Sequence, residues 1–336
     1  MVQSASFYPI FGIGIICLVG FIVCHFSLPR IMRYMKERGV VGRDAHKIDH
    51  PLIPEMGGLA ILLGLVACTV VGMFILPDER DMFLSFMGTV MIAGIIGAYD
   101  DLKPLNARVK PILTAFAGLP ILLMSTYTPS IVFPFIGGTR LTRVYPLLLP
   151  IVMAVTSNAV NMMDPFNGVM AGSSSIITVT LLVAALILGK SEAVILCAAL
   201  LGVLLAFFYF NKYPSRVFSG DVGSLSVGAA LGAIAVLGRL EVVAVVAFMP
   251  QIMNAFYGLS TIGHLYERRE VARPTRLMED GRMRARADPR APITLARFIL
   301  ARGPLKENEA ALVFMVLSVI SGGLALVTAY MMLGFT

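Results

Sequence analysis

"GAYDDLKPLNARVKPIL", residues 97–113, ends one apolar run and begins another. Two adjacent carboxylates, Asp100 and Asp101, stand at the rim of a hydrophobic segment, and Lys110 follows nine residues after the second. In isolation this is a helix stop followed by a short polar turn. Its surroundings change the reading. Of the 336 residues, 57% are hydrophobic and 14% charged, with a mean hydropathy of +0.84, where soluble domains carry about 25% charged residues. Acids at the edge of such a run mark a membrane boundary.

Ten stretches lack Asp, Glu, Lys and Arg over roughly the ~17–25 residues that a spanning helix needs. They cover 7–28, 57–76, 82–99, 111–127, 144–163, 169–189, 193–210, 222–238, 242–263 and 310–335. The first is too long for a removable signal peptide, and it lacks a basic start and a small-residue cleavage site. The expected fold is therefore an all-α polytopic membrane protein of about ten transmembrane helices, with one domain over residues 1–336. With ten spans the connections alternate, and 22 Lys or Arg fall on one face against 5 on the other. That imbalance places the rich face in the cytoplasm and both termini outside. The formal charge of +7 thus reports topology, and no nucleic-acid partner is expected.

Cys17, Cys24, Cys68 and Cys197 all lie inside apolar runs without CxxC spacing, so they read as core residues. The four histidines are scattered. On the outer side, "SIVFPFIGGTRLTRVYP" (130–146) has β-rich arms around Gly137-Gly138 and predicts a small extracytoplasmic β-hairpin.

The chemistry gathers on the cytoplasmic face. "SNAVNMMDPFNG" (157–168) spaces Asn158, Asn161 and Asp164 along one side of a helix. "RVFSGDVGSLSVG" (216–228) puts Asp221 before a small-residue helix. A lone amide in a membrane helix usually ties neighbouring helices together, and a lone Asp is usually a cap. Oxygen ligands from three inner loops, however, suit Mg²⁺, which completes its shell with phosphate oxygens and water. Lys110 and the arginines of "ERREVARPTRL" (267–277) supply positive charge for phosphates. "RMRARADPR" (282–290) reads equally as attraction to anionic lipid heads. Acids for a metal and bases for phosphate, at one membrane face, point to phosphoryl transfer between a soluble and a lipid substrate.

These motifs resemble the polyprenyl-phosphate N-acetylhexosamine-1-phosphate transferases, over about residues 42–310. "DDLKPLNARVK" is similar to the family's paired aspartates with a following lysine. "NAVNMMDPFNG" is similar to its N-x-x-N-x-x-x-x-x-N-G element, and "FSGDVGS" to its G-D motif. "GRDAHKIDHPLIPEMGG" (42–58) carries the G-x-D-x-x-K and I-P-E elements of the UDP-GlcNAc:dolichyl-phosphate GlcNAc-1-phosphate transferases, the branch that the chain resembles most. The last inner loop departs from that branch, because no histidine lies between its arginines.

The resemblance implies transfer of GlcNAc-1-phosphate from UDP-GlcNAc to a dolichyl-type polyprenyl phosphate, the first step of lipid-linked oligosaccharide assembly for protein N-glycosylation. It implies Mg²⁺, with Mn²⁺ as a substitute, held by Asn161 and Asp221. Asp44 and Glu55, with the backbone around Arg43 and Ala45, match nucleoside and amino-sugar contacts. Asn167 and Phe218 match further UDP-sugar contacts, and Asn158 joins the substrate set. Arg269, Arg273 and Arg276 are the pyrophosphate candidates. Asp100, Asp101 and Lys110 are the catalytic candidates. Asp100 would take a proton or orient the lipid phosphate, and Asp101 would bond Lys110 or a metal-bound water. Direct attack by the lipid phosphate and a covalent aspartyl-phosphate route both stay open. The setting is a prokaryotic, archaeal-type plasma membrane or the ER membrane, with room for a homodimer. Two other readings are a bacterial-type enzyme using undecaprenyl phosphate and another UDP-sugar, and a secondary transporter.

Overall fold

In hydrocarbon every backbone N–H and C=O must be satisfied within its own segment, so apolar runs of this length become helices. A computed structural model describes residues 10–263 and 271–335. The chain begins with α1 (Ile10–Glu37) and a hairpin of β1 (Val41–Arg43) and β2 (Leu52–Pro54). It continues through α2 (Gly58–Ile75), α3 (Arg80–Leu102), and the short pair α4 (Val109–Ala115) and α5 (Leu119–Leu123). A second hairpin, β3 (Ser130–Phe133) and β4 (Gly137–Arg140), precedes α6 (Tyr145–Met162), α7 (Val169–Ile187), α8 (Ser191–Asn211) and α9 (Gly220–Leu237). Then follow α10 (Glu241–Ala247), α11 (Met249–Ile262), a third hairpin of β5 (Thr275–Leu277) and β6 (Met283–Ala285), α12 (Leu295–Ala301) and α13 (Glu307–Met332). All three hairpins are antiparallel.

Among the described residues, eight helices are long and apolar enough to cross a membrane: α1, α2, α3, α6, α7, α8, α9 and α13. Two of the ten expected runs take other forms. The ninth is a pair, α10 and α11, bent by 65° at Phe248, where Pro250 enters the first turn of α11 without an N–H to give. The fourth is broken by a 3₁₀ turn at Phe116–Gly118. Its 15 helical residues would rise only about 22 Å against a ~30 Å core. At the other extreme, α1 continues nine residues past the apolar run to Glu37, because Arg33 and Lys36 are good helix formers that project into water.

The expected hairpin forms, but its turn precedes the two glycines. Phe133 pairs with Gly137 and Val132 with Gly138, so the link is 134–136, with Phe135 at φ +66°. A three-residue link with one left-handed residue is a common hairpin solution. A second correction concerns Asp164. It does not share a helical stripe with Asn158 and Asn161, since α6 ends at Met162. Pro165 disfavours the α conformation in the residue before it.

The core is organised around α9, whose residues from Val222 to Leu237 are all buried. Its sequence is rich in Gly, Ala and Ser, which lets neighbouring backbones approach closely. A methyl group on Gly58 of α2 would collide with the Gly223 backbone, and one on Gly97 of α3 with the Asp221 carbonyl. On the third side, a methyl on Gly228 would meet Ser157 of α6 at 2.5 Å. The first turn of α9 is capped from another helix. Asp101 Oδ1 accepts the Asp221 N–H at 2.7 Å, and Oδ2 accepts the Val222 N–H at 3.0 Å. Helix caps are worth roughly 0.5–2 kcal/mol. Asp101→Ala should therefore lower the thermal midpoint of the detergent-purified protein, and Asp101→Asn, which keeps one acceptor, should fall between Ala and wild type. An Ala variant that melts with wild type would remove this role.

Candidate active site

The opening motif becomes a three-charge cluster. The last turn of α3 delivers Asp100, which is buried and accepts the Leu105 N–H. Lys110, in the first turn of α4, pairs its ammonium with both Asp100 and Asp221. Asp221 also accepts from Asn161 Nδ2 at 2.7 Å, and the same amide donates to Ser224 Oγ at 2.8 Å. Asn161 thereby turns its NH₂ end into the protein and keeps its oxygen for another partner. The carboxylates of Asp100 and Asp221 and the amide oxygen of Asn161 form a hard-oxygen donor set that could hold a divalent cation. With one ammonium against two carboxylates, the cluster carries about one excess negative charge.

Asp101 stands apart from this cluster. The expected bond to Lys110 is absent among the described contacts, because both of its oxygens serve the amides that open α9. Asp164 instead accepts from Ser219 Oγ at 2.8 Å, tying the link after α6 to the turn before α9. Asn158 donates to Thr114 Oγ1 and to the Ala154 carbonyl, both at 2.8 Å. It lies one helical turn inward from Asn161 and helps to dock α4 against α6.

A second group of side chains forms between the first hairpin and the start of α13. Asp44 is buried, pairs with Lys47, and accepts Asn167 Nδ2 at 3.0 Å and the His46 N–H at 3.2 Å. Burial would raise its pKa, but the bonds from Lys47 and Asn167 outweigh burial and hold the carboxyl below the ordinary range. Glu307, at the start of α13, accepts the Asn167 N–H at 2.9 Å and lies 3.6 Å from the Lys47 ammonium. Asp44, His46 and Glu307 offer ligand atoms within 4.8 Å of one another, yet Lys47 already supplies that cluster with a cation. Glu55 and Phe218 both reach over Gly42, where a methyl group would strike the carboxylate and meet the ring at 3.2 Å. Backbone bonds of 2.9 Å, from Phe218 to Pro54 and from Gly57 to Phe218, join this hairpin to the turn that carries Asp221.

Beside it, a cavity of about 220 Å³ is lined by Ala45 and His46 on one wall and by Arg273, Thr275, Arg276, Leu277 and Arg286 on the other. Arg276 faces Arg284 across the β5–β6 pair, and like charges placed directly opposite repel. Among the described residues no acid forms an ion pair with Arg273, Arg276, Arg284 or Arg286. Such a cavity suits a phosphate-bearing ligand. The structure thus brings Ala45, Arg273 and Arg276 together at one cavity. Arg43 ends β1 as an exposed residue, and Arg269 lies outside the described residues. Sequence reasoning missed Glu307, carried Lys47 only as the lysine of the G-x-D-x-x-K element, and read Arg286 only as a contact to lipid heads. For Glu307 a signal existed, since it is another acid at the rim of an apolar run.

Comparisons with known proteins identify the family. The model of glycosyl transferase family 4 matches residues 83–239. A protein of Methanocaldococcus jannaschii, provisionally named a glycosyltransferase, is 30% identical over 310 residues, 90% of each chain. A protein of Saccharolobus solfataricus, provisionally named a UDP-N-acetylglucosamine–dolichyl-phosphate N-acetylglucosaminephosphotransferase, is 30% identical over 252 residues, 73% of this chain and 77% of its own. The phospho-N-acetylmuramoyl-pentapeptide-transferase of Citrifermentans bemidjiense is 28% identical over 324 residues, 85% of this chain and 87% of its own. With coverage this broad at 30% identity, the chain belongs to glycosyl transferase family 4.

Proposed function

We propose that the protein transfers N-acetylglucosamine-1-phosphate from UDP-GlcNAc to a dolichyl-type polyprenyl phosphate. An oxygen of the lipid phosphate forms a bond to the sugar-bearing phosphorus, and the bond from that phosphorus to the bridging oxygen breaks. The products are a GlcNAc-diphosphate-lipid and UMP. The single observation that carries this reading is Lys110 bridging Asp100 and Asp221, at helix ends that the turn before α9 ties to the hairpin bearing Asp44. The name of the Saccharolobus relative supports the choice of donor and acceptor, and the lysine and arginine count supports a site facing the cytoplasm with both termini outside provided that α4–α5 and α10–α11 each complete a crossing, so that the spans number ten.

Two anionic phosphates repel, and the chain's own groups lower that repulsion. Lys110 stands where the two phosphates meet, and the arginines of the β5–β6 hairpin take the diphosphate. A phosphate monoester has a second pKa of about 6, so the attacking oxygen needs no strong base, and Asp100 accepts the residual proton or orients the lipid phosphate. Mg²⁺ fits the oxygen donors of Asp221 and Asn161, and when bound it would neutralise charge on the diphosphate oxygens.

Purified protein given radiolabelled UDP-GlcNAc, Mg²⁺ and either dolichyl or undecaprenyl phosphate should move label into an organic extract, fastest with the dolichyl acceptor. No label in either extract refutes the reading. Asp221→Ala should abolish transfer in protein that still folds. Excess chelator should stop the wild type, with Mg²⁺ or Mn²⁺ restoring it and Ca²⁺ serving poorly because its bonds are longer; full activity in chelator removes the metal from the proposal.

Lys110 supports a separate test. Loss of one preorganised donor to developing charge costs roughly 10²-fold or more in kcat, so Lys110→Ala should show that loss while UDP-GlcNAc binding weakens far less. Lys110→Arg should rescue only partly, since a planar fork does not fill the place of a point charge. If Lys110 only snorkels at the start of α4, kcat per folded molecule will be unchanged.

A further inference from the structure

Links between helices meet at the end of the bundle opposite Lys110, around a cavity of about 360 Å³. The cavity wall includes Leu237, the last residue of α9, whose first turn carries Asp221. At 1.5 Å per residue the two ends of that helix lie about 24 Å apart.

Charge in this cavity is sorted by depth. Lys190 and Arg239 are half-buried, whereas Asp78 and Asp81 are exposed at the rim. Among the described residues neither base forms an ion pair, although Glu192 stands two residues after Lys190. The Arg239 Nε is buried without a hydrogen bond. Burial, and then the neighbouring Arg239, hold the Lys190 pKa below the ordinary lysine value. Arg239 also adopts φ +55°, a left-handed conformation that favours Gly and is common for Gly just past a helix end.

Two adjacent bases without acids in ion-pair range suit an anion, and the guanidinium fork matches a phosphate. Acids outnumber bases along the whole wall, however, and would repel an anion that carries no positive charge of its own. A metal ion fits poorly. Among the described residues no three acids of this cavity bring ligand atoms as close as the 4.8 Å found for Asp44, His46 and Glu307. Exposed Phe74, Leu123 and Leu186 stand three or four residues before the lining residues Asp78, Thr126 and Lys190. The mouth thus lies where apolar surface gives way to polar links, the level of lipid headgroups.

We propose that this cavity binds a phosphate–ammonium zwitterion of the phosphoethanolamine class, its phosphate on Lys190 and Arg239 and its ammonium at Asp78 and Asp81. Both a lipid headgroup and the free compound carry that chemistry.

The test is equilibrium binding to delipidated, full-length protein in detergent. The probes are dihexanoyl phosphatidylethanolamine, dihexanoyl phosphatidylglycerol and free O-phosphoethanolamine. Wild type should prefer the ethanolamine lipid over the glycerol lipid by roughly tenfold or more, the effect of one charge-assisted hydrogen bond. Asp78→Asn combined with Asp81→Asn should narrow that preference. Arg239→Gly removes the guanidinium and relieves the left-handed backbone. It should melt no lower than wild type yet lose roughly tenfold or more in affinity, and Lys190→Gln should lose affinity likewise. Binding of free O-phosphoethanolamine as well supports recognition of the head alone, and binding of the lipid only supports a membrane source. Equal binding of the two lipids, binding of neither, or unchanged affinity in the two folded single variants overturns the inference. None of these residues belongs to the Lys110 cluster, so each such result leaves the transferase reading standing.

Discussion

Two hydrogen bonds accepted by one carboxylate set the frame of the site. Asp101 belongs to the end of α3, yet its oxygens hold the first amides of α9. The helix that carries Asp221 therefore starts at a point dictated by the helix that carries Asp100. Unsatisfied amides at a helix start attract negative charge, and the resulting close approach leaves Asp100 and Asp221 near enough to share one lysine. A pair of acids that looks redundant in the sequence is divided between a helix cap and the Lys110 cluster.

The remaining parts attach to that frame through short links. The turn before α9 is bound to the first hairpin by backbone bonds at Phe218, and to the link after α6 by Asp164 and Ser219. Asn254 of α11 donates to the Met162 carbonyl at the end of α6 and accepts the Leu295 N–H at the start of α12, both at 2.9 Å. The β5–β6 arginines thus belong to a segment moored near Asn161. Loops can position chemistry only where a rigid scaffold fixes their ends, and here the scaffold is α3, α6 and α9.

Much of this was legible in the residues. Apolar runs separated by charge revealed the helices, and the polar side chains at their ends pointed to the groups that gather around Lys110 and Asp44. The broken run near Gly118 and the bend at Phe248 were not legible, because hydropathy measures solubility and is blind to a helix that changes direction. The partner of Asp101 was hidden for a different reason. A carboxylate looks the same in sequence whether it meets an ammonium or a backbone amide, and only the α3–α9 crossing distinguishes them. Glu307 escaped notice because 140 residues separate it from Asn167, the residue that it serves.

The glycines at the crossings have a consequence for how importance in such a protein is measured. Gly58, Gly97 and Gly228 bring no side chain to the Lys110 cluster, yet each lies where a single added carbon would press on the backbone of a neighbouring helix. In a survey of tolerated substitutions these positions would look as unforgiving as Lys110, and a map of intolerance would draw the active site too large. The distinction lies in what would be lost. At the glycines the molecule would lose its assembled form, so fewer copies would act; at the lysine, on the proposed mechanism, every copy would be present and each would act slowly.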